Sequence, residues 1–358
     1  MRGWQILPIA LIAAIVILLP LAALTDTEVE FDFREALGLE TKGCRATPDA
    51  SSPWQNGASL PLELDEPRAA TLDGDVYILG GTTGVMELPN DQLRLDSSDR
   101  VLRFDPEAET YVKLAPMPRA LNHLGVVVHD DELYVLGGYG RTLDSHTSRA
   151  FYRYEPTRNR WSQMPDMPQP VAAMAAGVVG DQLIVAGGAR GTVPTSDAFA
   201  FDFSTRRWSR LPSMPDVREH VEATTFGGDL YVLGGRTSRS FAIRNATSYD
   251  VSGRRWKRLP SLPVPTGGAA VVSNAGAVLA IGGGNDAAGT VTGAVQKWDP
   301  RARRWERLPD LRTPRHGHAA AVANGKIWVF GGSPCAYFAA TDSVEWLPAP
   351  GAAVAGRR

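Results

Sequence analysis

The chain has 358 residues, with 37 Lys and Arg against 39 Asp and Glu and a net charge of −2. With 44% apolar and 21% charged residues it is not a disordered polymer, and its near-neutral balance excludes the strongly basic footprint of a duplex nucleic-acid binder. The 36 Gly and 26 Pro suit many short strands and turns, and the two Cys are too few for a disulfide scaffold.

From Ile6 to Leu24 nineteen residues pass without a charge, enough to span a bilayer. Arg2 precedes them and Asp26, Glu28, Glu30 and Asp32 follow, so the remainder of the chain is expected outside the cytoplasm. Leu21-Ala22-Ala23 and Ala22-Ala23-Leu24 both break the small-x-small cleavage pattern. Residues 1–25 therefore read as a signal anchor or a signal peptide. The first places the protein in the cytoplasmic or secretory-pathway membrane, the second makes it periplasmic or secreted. Residues 26–51 read as a linker and 348–358 as a disordered tail.

Between them, a diglycine ends a β-type run six times, at Gly80-Gly81, Gly137-Gly138, Gly187-Gly188, Gly234-Gly235, Gly282-Gly283 and Gly331-Gly332. The steps between them are 57, 50, 47, 48 and 49 residues. After each of the first five comes a pair of aromatics seven positions apart: Phe104 and Tyr111, Tyr154 and Trp161, Phe201 and Trp208, Tyr249 and Trp256, Trp298 and Trp305. Turn-like clusters such as DPEAE separate the two members, and a stretch such as RLPSMP follows. Each unit reads as four short strands.

This pattern resembles the kelch repeat, whose blades of about 50 residues build a β-propeller. The resemblance covers residues 52–347 and implies an all-β, six-bladed propeller. The sixth copy lacks an outer strand, and Trp54 occupies that position at the other end of the chain, so an N-terminal strand is expected to complete the last blade. Cys44 and Cys335 then fall in the same composite blade, and in an oxidising compartment a disulfide between them would lock the closure.

No catalytic motif, P-loop or metal-ligand spacing occurs. The pair His316 and His318 is too weak a signal for a metal, and neither metal nor cofactor is expected. In kelch propellers the loops before the inner strand and after the diglycine reach one channel mouth. On that basis the ligand-binding candidates are Arg68, Arg119, His123, Arg141, Arg190, Arg218, His220, Glu222, Arg236 and Arg315. Guanidinium groups gathered there would attract an anion. Glu222 stands where Gly125, Ala175, Ala270 and Ala319 occur in other copies. It reads as a salt-bridge partner of Arg218 or as a general base.

The resemblance implies an exported scaffold that holds a protein or glycan ligand, anionic in character, on one loop face. The alternative is a carbohydrate isomerase like the sialic acid epimerases (mutarotases), with Glu222 and Arg218 catalytic. Nucleic acid is not an expected partner, and the membrane is met only through the N-terminal segment.

Overall fold

Each repeat folds as one four-stranded antiparallel sheet, and the computed structural model, which describes residues 47–87, 93–140, 147–284, 290–335 and 338–351, contains six such sheets. The inner strands of blades 1 to 6 are Arg68–Leu72, Gly125–His129, Ala175–Val179, Glu222–Phe226, Ala270–Asn274 and Ala319–Ala323. They neighbour one another in that order around a central channel, and blade 6 returns to blade 1. The first repeat is longer because it carries an extra hairpin, Thr82–Glu87 with Leu93–Ser97.

The aromatic pairs are cross-strand partners: Phe104 faces Tyr111, and Trp298 faces Trp305. In all five the ring centroids lie 4.9–5.2 Å apart, within the range of favourable tilted packing. The second aromatic also ties its blade to the previous one. The indoles of Trp161, Trp208, Trp256 and Trp305 donate to the carbonyls of Ala115, Pro165, Pro212 and Pro260 at 2.8–3.0 Å. Trp54 does the same to Pro309 at 3.0 Å.

That bond identifies Trp54 as the outer aromatic of blade 6, as its spacing predicts. The strand Gln55–Asn56 completes the blade by pairing with Val344–Pro348, Gln55 opposite Trp346 and Asn56 opposite Glu345. The ring therefore closes with sheet hydrogen bonds contributed by both ends of the repeat array.

The diglycines have a common mechanical role. All twelve residues have positive φ, and a Cβ on Gly137 would lie 2.3 Å from the Val171 carbonyl oxygen. The second glycine of each pair donates its N–H to the following blade, ending with Gly332 to Leu64 O at 2.7 Å. Only a residue without a side chain permits this approach.

The predicted membrane segment and Cys44 lie outside the described residues. Among the described residues no helix is long and apolar enough to cross a membrane.

Candidate functional site at the channel mouth

The turn before each inner strand places one residue in the left-handed region. These residues are Glu66, His123, Ala173, His220, Gly268 and Gly317, with φ between 47° and 64°. Such a conformation costs a non-glycine residue roughly 1–2 kcal/mol, and backbone bonds between blades impose it. Glu66 N donates to Gly317 O (2.6 Å), Gly317 N to Gly268 O (2.9 Å), Gly268 N to His220 O (3.1 Å) and Ala173 N to His123 O (2.9 Å). The residue just before each of these six bridges the residue that follows the diglycine, for example Asn122 with Tyr139 and Glu219 with Arg236. Both loop families thus meet at one mouth, as the kelch resemblance implies.

Because blades 3 and 5 contribute Ala172, Ala173, Gly267 and Gly268, the polar groups come from the other four. Glu66 and Asp65 are buried at 2% and 0% exposure. Glu66 Oε1 lies 3.4 Å from His123 Nε2 and 3.9 Å from His316 Nδ1. His123 Nε2 is 2.9 Å from His220 Nε2, and Glu219 Oε2 accepts a hydrogen bond from His220 Nδ1. Gly317 is required beside them, since a Cβ there would meet Asp65 Oδ1 at 2.5 Å.

Below this layer Arg68 Nε and Glu222 Oε1 make a close ion contact of 2.5 Å, and Arg68 Nη1 is 3.5 Å from Glu66 Oε2. A cavity of about 60 Å³ touches the pair. Farther along, the channel is lined by small neutral residues such as Ala70, Thr71, Ala176 and Thr225, around about 350 Å³ of space.

Burial dominates the electrostatics. It pushes Glu222 up to about 7 against the pull of Arg68, and it raises Asp65 well above the usual carboxylate range, helped by the Glu66 charge. Burial opposes ionisation of Glu66 as well, but the charge and hydrogen bond of His123, with His220 and Arg68 beyond, hold its carboxyl well below the usual value. His220 is depressed by burial and by Arg236. The Tyr139 phenol is raised to about 12 by burial. Arg236 is itself lowered by burial, and its Nε has no hydrogen-bond partner.

Of the residues anticipated from the sequence, Arg68, His123, His220, Glu222 and Arg236 converge here. Arg218 and Arg315 do not contribute their heads. Both are fully buried and act as internal ties. Arg218 donates to the carbonyls of Gly234, Asn245 and Val232 and to Thr247 Oγ1. Arg315 donates to Thr313 O, Gly331 O and Ser343, and pairs with Glu345 at 2.7 Å. Their repeat position holds Leu64, Leu121, Val171 and Thr266 in the other copies, so these arginines fill a largely apolar wedge and satisfy carbonyls from within it. Glu222 accordingly pairs with Arg68 across the channel, not with Arg218.

Arg119 is exposed, and Arg190 is exposed and bonded to Gln169 Oε1 at 3.0 Å. Arg141 lies outside the described residues. Asp65, Glu66 and Glu345 carry no motif and were not anticipated. Glu66 is recognisable only by counting back from the inner strand, which aligns it with His123 and His220.

Comparison with known proteins follows the same architecture. The family model described as the KLHDC2/KLHL20/DRC7 Kelch-repeats domain matches residues 57–222 and 123–332. Human "Kelch repeat and BTB domain-containing protein 12" is 34% identical over 88 residues, 24% of this chain and 14% of that protein. "Kelch-like protein terF" of Aspergillus terreus is 35% identical over 109 residues, 28% and 23% of the two chains. "N-acetylneuraminate epimerase" of Haemophilus influenzae is 33% identical over 96 residues, 25% and 23%. The matched stretches thus span less than a quarter of these relatives' own length. A solved structure titled "Structure of YjhT" shares the fold with a TM-score of 0.65 at 17% identity, covering 81% of this chain and 96% of that one. With matching repeats across nearly the whole ring and the inter-blade bonds they predict, the chain belongs to the kelch-repeat family.

Proposed function

We propose that this protein is a kelch propeller that binds a carbohydrate at its channel mouth, with Arg236 as the contact for an acidic group on the ligand. The observation that carries this reading is the unpartnered, buried Nε of Arg236, beside carboxylates and imidazoles able to accept or donate to hydroxyl groups. The pair of Arg68 and Glu222 closes the floor of this space, so a ligand entering from the mouth would present one end only, such as a terminal sugar. The hydrophobic segment 6–24 supports placement of the propeller outside the cytoplasm, where glycans are met. Protease accessibility in intact cells tests that placement.

The binding test is a thermal-shift series with acidic and neutral sugars, because a ligand selective for the native state raises its melting temperature. N-acetylneuraminate is expected to raise it by several degrees and Arg236→Gln to remove the shift. No shift with any sugar would overturn the reading in favour of a protein partner.

A second reading is acid–base isomerisation of the sugar. It is supported by the carboxyl of Glu222 at the floor of the same space and by the partial similarity to a protein named as an epimerase. Glu222→Gln separates the two readings. A binder keeps most of its affinity, whereas acid–base turnover falls by roughly 10²–10⁴-fold.

A further inference from the structure

Ser97 Oγ donates to Gly140 O at 2.8 Å and accepts from Asn122 Nδ2 at 2.7 Å. This chain of bonds turns Asn122 Oδ1 toward His123 Nδ1, 2.5 Å away, so that Nδ1 must carry a proton. On the other ring, Glu219 Oε2 accepts from His220 Nδ1 and fixes the proton there too. When both imidazoles are neutral, these tautomers turn bare Nε2 lone pairs toward each other, and those atoms are 2.9 Å apart. A carboxylate oxygen, Glu66 Oε1, lies 3.4 Å from His123 Nε2. In that state three Lewis bases face one point, an arrangement that a cation there would make favourable.

We propose that Glu66, His123 and His220 form a binding site for a divalent first-row transition metal ion, with His316 placed to add a fourth ligand. All three primary ligand atoms lie within 4.8 Å of one another, and Glu66 also belongs to a second such group with Asp65 and His316. Ligands about 2.0–2.2 Å from a tetrahedral ion stand roughly 3.3–3.6 Å apart, which the 3.4 Å from Glu66 to His123 matches and the 2.9 Å between the histidines approaches. Two neutral imidazoles and one carboxylate suit zinc and its neighbours rather than calcium or magnesium. Glu219 and Asn122 supply the outer bonds that orient metal-binding histidines.

Charge agrees with the geometry. Asp65, Glu66, Glu219 and Glu222 bring four carboxyl groups to the mouth against two guanidiniums, Arg68 and Arg236. That excess of acidic groups favours a bound cation. Asp65 Oδ2, in a side chain with no exposed surface, has no hydrogen-bond partner and lies in the same cluster.

The proposal goes beyond the carbohydrate reading and does not depend on it. Its test uses metal alone. The purified protein is treated with chelator, dialysed and titrated with Zn²⁺ by calorimetry and with Co²⁺ by visible absorption. One equivalent per chain is expected, with the intense d–d bands of a low-coordinate Co²⁺ site. His123→Asn and His220→Asn should each weaken binding at least tenfold, while His129→Asn, which alters a ring stacked on Phe203, should not. Far-UV circular dichroism and the melting temperature check that each variant folds. If His220→Asn does not fold, Glu219→Gln is the substitute, because loss of such an outer bond costs roughly 10–100-fold in metal affinity. Absence of stoichiometric binding, or binding indifferent to these variants, would overturn the proposal and leave a proton as the cation between the imidazoles.

Discussion

Arg68 and Glu222 meet across the channel at 2.5 Å although they begin the inner strands of blades 1 and 4, on opposite sides of a six-membered ring. The same strand position holds Gly125, Ala175, Ala270 and Ala319 in the other four blades. The two departures from a small residue are thus each other's partner, and together they close the channel beneath the mouth cluster.

That relationship makes a double-mutant test. Removing either partner alone strands a largely buried charge and is expected to cost about 3 kcal/mol. Arg68→Ala combined with Glu222→Ala restores the small-residue pattern of the other blades and should cost much less than the sum. Urea unfolding of the two single variants and the double variant measures the coupling. Additive losses would mean that the pair contributes nothing as a pair.

Arg218 and Arg315 are expected to matter for stability and not for ligand contact. Arg218→Met removes a donor from the carbonyls of Gly234, Asn245 and Val232, of which Asn245 O keeps the Gly234 N–H, and a loss of about 2–4 kcal/mol is expected. Arg315→Met also leaves Glu345 buried at 2% exposure, although Glu345 still accepts from the backbone N–H groups of Arg312 and Thr313. It should cost about 3–5 kcal/mol. Any sugar-induced shift should survive in the folded fraction of both variants, as measured by thermal shift.

Trp54 tests ring closure. Its indole is fully buried among Leu279, Ile281 and Val329, and its Nε1 holds the Pro309 carbonyl. Trp54→Ala should lower stability by about 3–5 kcal/mol and open blade 6 first, seen as faster amide exchange in residues 344–348. The Cys44 to Cys335 bridge expected from the sequence would reinforce the same closure. Peptide maps with and without reductant should then differ by one cross-linked peptide, and identical maps would remove it.

Acid should destabilise the hairpin turns. Asp105, Asp202, Asp250 and Asp299 share one repeat position and accept from backbone N–H groups two or three residues ahead. The N–H groups of Ala108, Gly253 and Ala302, and the hydroxyl of Ser204, hold these carboxyls below their ordinary value. Since the unfolded chain then takes up protons first, this stabilisation is complete above about pH 4 and is lost as pH falls through the depressed folded values. Melting temperatures should drop below pH 4, less steeply in Asp250→Asn.

Much of this was legible in the chain. Six diglycines, five aromatic pairs and the place of Trp54 determined the blade count, the strand order and the closure, because each mark reflects a local steric demand repeated in every copy. Arg68, His123, His220, Glu222 and Arg236 were readable as mouth residues for the same reason. Whether an arginine reaches the axis was not readable from its loop. Arg218 and Arg315 take up an apolar wedge because carbonyls of neighbouring strands, fourteen or more residues away, surround that wedge. Nor did any spacing bring Glu66, His123 and His220 together, since they come from blades 1, 2 and 4. Repetition along the chain specifies the blade, and ring closure through space decides which side chains face one another.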